Sequence, residues 1–104
     1  MLFRSDILNF IQDDDYAEVR WPQGYWPHDP AGAARDWAAQ VAAYREDLRA
    51  LLTLLDDPAT DLLAVVPNGV NAGGQTWLRE FLLVADHTAY HVGQLALLGR
   101  LLRA

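Results

Sequence analysis

Cysteine and lysine are both missing from this 104-residue chain. Without cysteine there is no disulfide framework and no thiolate to serve as nucleophile or metal ligand. Without lysine, all 8 basic side chains are arginine, and they form no cluster. The net charge is −6, so the cations that neutralise nucleic-acid phosphates are not there, and nucleic-acid binding is disfavoured. Charged residues make up only 21% of the chain. No uncharged apolar run is long enough to predict a transmembrane helix. The opening Met1-Leu-Phe-Arg-Ser-Asp6 lacks the layout of a signal peptide, which makes the cytoplasm the default expectation and a membrane an unexpected partner.

What the chain does have is apolar material, at 52%. Residues 1–104 suffice for one small domain. Such a domain has much surface for its volume, so this composition predicts that part of the apolar surface is covered by another subunit. The periodicity reads as all-α, with three helices joined by two long loops. The first covers Leu2 to Gln12, with Leu2, Phe3, Ile7, Leu8 and Ile11 on its apolar side; no N-cap residue precedes it. Asp13-Asp14-Asp15 opposes the helix dipole and stops it. The loop to Ala31 carries Trp21-Pro22, Tyr25-Trp26-Pro27 and His28, and its aromatics are expected to pack over one end of the helices. The second helix spans Gly32 to Asp56, with a stripe of Trp37, Val41, Tyr44, Leu48, Leu51, Leu52 and Leu55. Leu62 to Val66 reads as a short strand or extended chain, and Asn68 to Gly74 as a turn-rich loop. Thr76 is the expected N-cap of a third helix running to Arg103.

That third helix carries the chemistry. His87 and His91 are four residues apart and so share one face, one turn from each other. At about 100° per residue, Glu80, His87, His91 and Gln94 fall within roughly 40° of one line. Leu83, Val84, Leu95, Leu98 and Leu102 flank them. Polar groups inside an apolar face must be paired or bind something, and two neutral imidazoles can bind one metal ion. The motif is not His-Glu-x-x-His, so zincin protease chemistry is unsupported. The opposite face carries Ala85, Ala89, Val92, Gly93 and Ala96. A helix that is apolar nearly all round is central or lies at an interface, and this one predicts a homodimer.

The run His87-Thr-Ala-Tyr90-His91-Val-Gly93-Gln94, continued by Leu95-Ala-Leu-Leu-Gly-Arg-Leu-Leu102, resembles the DinB-like (DNA-damage-inducible, metal-dependent) superfamily. Asp6-Ile-Leu-Asn-Phe10, Trp21-Pro22, Tyr25-Trp26-Pro27, Asp57-Pro58 to Leu62 and Gly74-Gln-Thr76 are similar to the same family's middle region. The resemblance implies a four-helix bundle, often dimeric, that holds nickel, zinc or iron on three histidines. Two of them match His87 and His91. The third would fall before Met1, as would the family's first helix and part of its second. The expected architecture is therefore an incomplete bundle of three helices, completed by dimerisation. Glu80 and His28 are the candidates for a further ligand. Tyr90 and Gln94 are candidates for positions around the ligands or substrate, and Tyr25 and Trp26 for the mouth of a pocket.

Two functions of different class stay open. One is a metal-dependent hydrolase or thiol-dependent transferase acting on a small molecule. The other is a non-catalytic helical dimer with a vestigial metal site, for example a stress-response binding module.

Overall fold

The computed structural model describes residues 3–21, 23–70 and 73–104. The expected helix start at Leu2, Pro22 of the Trp21-Pro22 motif, and Asn71 and Ala72 of the turn-rich loop lie outside them. Four α-helices follow in order: α1 (Phe3–Gln12), α2 (Pro30–Arg35), α3 (Trp37–Asp56) and α4 (Trp77–Arg103). Short 3-10 turns occur at Gln23–Tyr25 and Pro67–Gly69. All-α is the class, and among the described residues no helix is long and apolar enough to cross a membrane.

Two expectations change. The helix expected as one piece from Gly32 to Asp56 is two, because Asp36 leaves the helical region at φ −103°, ψ 50°. Its carbonyl nonetheless accepts from Gln40 N and opens α3. The stretch Leu62 to Val66 makes no strand among the described residues. It contributes one isolated bridge, Val65 to Thr76, and its main service is to α4. The first N–H groups of a helix have no partner within it. Here Trp77 N donates to the Ala64 carbonyl and Leu78 N to the Leu62 carbonyl. Arg79 N donates to Thr76 Oγ1, the expected cap. The return loop depends on glycine at two points. Gly73 and Gly74 sit at φ 81° and 79°. A Cβ on Gly69 would lie 2.5 Å from the Gln75 carbonyl oxygen.

The core is small. Ile7, Leu8 and Ile11 form one face of α1 and meet Leu51 of α3, Val66 of the loop and Val84 of α4. At 1.5 Å per residue, α1 is about 15 Å long, α3 about 30 Å and α4 about 40 Å. The molecule measures 47 × 25 × 23 Å, too narrow for α3 to lie across it. Both long helices therefore follow the long axis. The loop that joins them binds the start of α4 and lies at the α1 end.

The later part of α4 is largely uncovered. Tyr90, Val92, Leu95, Leu97, Leu98, Leu101 and Leu102 of α4 are exposed, Leu102 by 85%. A compact monomer of 11.6 kDa exposes roughly 5,800 Å², whereas this chain exposes 7859 Å². Its radius of gyration is 15.5 Å, against about 13 Å for a compact chain of this length.

Asn68 ties the far end of α1 to the loop. Its Nδ2 donates to the Phe10 and Asp13 carbonyls, at 2.6 and 2.8 Å. Terminal carbonyls of a helix need such partners. Asn68→Ala is expected to lower unfolding stability by about 1 to 3 kcal/mol, measured by urea denaturation. An unchanged midpoint would show that water replaces the amide at no cost.

Candidate metal centre

His87 and His91 lie one turn apart on α4, and both are half-buried. Their rings meet edge to face, with centroids 4.5 Å apart and planes at 72°. The two Nε2 atoms point at each other across 2.9 Å. His91 Nδ1 lies 2.8 Å from Gln94 Oε1. Gln94 Nε2 donates to the Tyr90 hydroxyl at 3.3 Å, and the Tyr90 ring stands edge-on to His91. An amide oxygen only accepts, so His91 Nδ1 carries the proton and its Nε2 presents a lone pair to His87. Gln94 thus fixes the tautomer a metal ligand needs. The contacts from His91 to His87, Gln94 and Tyr90 and from Gln94 to Tyr90 are local to α4.

The fit to a metal is partial. Two nitrogens each about 2.05 Å from one ion are roughly 2.9 Å apart at a right angle and about 3.3 Å apart at a tetrahedral one. The observed 2.9 Å suits adjacent positions on a six-coordinate ion. It is also the length of a hydrogen bond in which one Nε2–H donates to the other Nε2. Among the described residues no three His, Cys, Asp or Glu side chains come together to hold an ion, so a single chain does not complete a site.

Glu80 and His28 accordingly do not join the pair. His28 sits on an exposed segment between Trp26 and Asp29. Glu80 is two turns back along α4 and only 2% exposed, with Arg79 Nη1 donating to its Oε1 at 3.3 Å. Burial raises its carboxyl above the usual range, and Arg79 opposes that rise. The polar line along α4 therefore runs from buried Glu80, through half-buried His87 and His91, to exposed Gln94. It was expected to lie within an apolar face throughout. The helix is as apolar as expected, but its later part is exposed.

Glu80 opens instead into a cleft of about 560 Å³ between α1, α4 and the loop after α1. Asp6, for which no role was expected, lines it. The Tyr16 hydroxyl donates to Asp6 Oδ1 at 2.8 Å, and the Tyr25 hydroxyl to Oδ2 at 2.6 Å. Glu18, Asn68, Gln75 and Arg79 add polar groups around it. Tyr25 thus lines a pocket, while Trp26 does not and is largely exposed, as is Trp21. Of the loop aromatics, Tyr16 packs edge-on against Phe10 near the end of α1, while Trp21 and Trp26 are largely exposed. Trp21 stacks edge-on against Tyr25 at 5.4 Å, and only the tyrosines turn inward. No spacing in the sequence announces the Asp6 cluster, because its partners come from an irregular loop.

Burial, and then the bond to Asp6, pushes the Tyr16 hydroxyl up to about 12 and raises Tyr25 as well. A raised folded-state value means the contribution to stability is whole below the ordinary tyrosine value of about 10. It is lost as pH climbs through about 12. Alkaline titration of phenolate absorbance is expected to show the Tyr16 step near 12, absent in Tyr16→Phe. Asp6→Asn should bring that step only part of the way down, since burial remains. A step unmoved by Asp6→Asn would remove the carboxylate from the explanation.

No protein-family model, curated protein or solved structure matches the chain.

Proposed function

We propose that this is a metal-binding helical protein of the DinB-like kind, working as a cytoplasmic homodimer, in which His87 and His91 hold a divalent nickel, zinc or iron ion. The observation that carries this reading is the convergence of two Nε2 atoms at 2.9 Å, with the His91 tautomer fixed by Gln94. Imidazole nitrogen suits all three metals. The family resemblance makes the activity a metal-dependent hydrolysis or a thiol-dependent transfer on a small molecule.

A second reading has its own support. The pair lacks a third ligand among the described residues of one chain, and Gln94 and Tyr90 beside it are exposed. Both facts favour a non-catalytic helical dimer whose site is vestigial. Metal content separates the two. Untagged protein purified without added metal is expected to carry a transition ion at near-stoichiometric level by plasma mass spectrometry. His87→Ala and His91→Ala should each cut it about tenfold or more, with helix content by circular dichroism unchanged. Wild-type protein that stays empty after incubation with zinc or nickel would leave the vestigial dimer in possession.

A further inference from the structure

The cleft beside Asp6 is lined by neither His87 nor His91. Its volume of about 560 Å³ falls within the range of pockets that hold small molecules, about 300 to 1,000 Å³. Among the described residues three carboxyl groups line it, on Asp6, Glu18 and Glu80, against the guanidinium of Arg79 alone. That guanidinium is already engaged. Its Nη1 donates to Gln75 Oε1 at 2.9 Å and to Glu80 Oε1 at 3.3 Å. An anionic ligand would meet repulsion here, and a cationic one attraction.

Burial and spacing narrow the ligand further. Glu80 is 2% exposed, and its Oε2 has no hydrogen-bond partner among the described residues. A buried carboxylate with one lateral partner is costly, and a cation in the cleft would offset that cost. Asp6 accepts one phenol hydroxyl on each oxygen, and each oxygen keeps capacity for another donor. The three carboxyl groups do not converge on a point, since among the described residues no three such side chains come together to hold a metal ion. Acids spread around a cleft are met by a molecule with several N–H donors. The remaining walls suit carbon. Ile7, Phe10 and Leu83 are apolar, and Tyr16 and Tyr25 add rings that attract a cation lying over their faces. Phe10 and Tyr16 brace each other edge to face at 5.3 Å, so part of the wall is formed in advance.

We infer that this cleft binds a small organic cation, a protonated amine or guanidinium carried on an apolar arm. The N–H groups bond to Asp6 and Glu80, and exposed Glu18 adds negative charge at the rim. The arm lies against Ile7, Phe10 and Leu83. Neither histidine takes part, so this site stands or falls apart from the metal reading.

The test titrates isotope-labelled, metal-free protein with phenethylamine at neutral pH and follows backbone amides by proton–nitrogen correlation NMR. Saturable shifts centred on Asp6, Tyr16, Tyr25 and Glu80 are expected, with a Kd of about 1 mM or tighter. Phenethyl alcohol, the neutral analogue, and hydrocinnamate, the anionic one, should each bind about tenfold more weakly or worse. Asp6→Asn and Glu80→Gln keep size and remove charge, and each should weaken the amine about tenfold. Glu18→Gln, at an exposed position outside the core, does not threaten the fold and should weaken it about threefold. Asp56→Asn removes the same charge at the end of α3, outside the cleft, and should leave binding unchanged. It thereby separates the site from general attraction to a chain of net charge −6. Absence of saturable binding up to about 10 mM amine would overturn the site. So would equal binding of the alcohol, or an Asp56→Asn loss as large as that of the cleft variants.

Discussion

A helix of about 15 Å is set between helices of about 30 and 40 Å. The core depends on where the shorter helix docks between the two longer ones. Three residues of α1, Ile7, Leu8 and Ile11, close the core against Leu51, Val66 and Val84. Burial grades along α4. Glu80 is enclosed, the two histidines are half-enclosed, and the leucines that follow face outward. The candidate metal centre sits at the boundary, where imidazoles are sheltered from part of the solvent and still open to a further ligand.

Helices and caps were legible in the sequence because their signals are local. Thr76 before an apolar-periodic run marked the start of α4, and its hydroxyl does accept from Arg79 N. Pro58 after Asp56 marked the end of α3. The break at Asp36 was hidden. Alanine on both sides gives high helix propensity, and no glycine or proline stands at the break itself. The return segment was ambiguous for a different reason. Leu62 to Val66 has the composition of a strand but no strand to pair with, so its carbonyls serve the first N–H groups of α4 instead.

The site divides in the same way. The His87–His91 pair was legible because i, i+4 spacing on a helix needs no tertiary knowledge. The Asp6 cluster was not, since Tyr16 and Tyr25 reach it from a loop whose path only the folded chain defines. Glu80 stands between the two cases. Its place on the polar line of α4 could be read from periodicity, but its burial beside the Asp6 cleft, away from the histidines, depends on where α1 docks. Exposure of Trp21 and Trp26 was equally out of reach, because apolar residues in a loop carry no period to show which way they face.

The contacts that secure α1 also say when it can form. Ser5 bonds to Asp47, 42 positions along, and Asn68 reaches back 58 positions to the Phe10 carbonyl. An isolated helix of 10 residues is marginal in water, and these distant partners are what hold it. Part of its support, Asp47 and Leu51, lies in α3, and the rest lies in the return loop and the opening turns of α4. The helix is secured only when all of these are in place. Until then its apolar face stays open to chaperones, or to the α4 of another molecule.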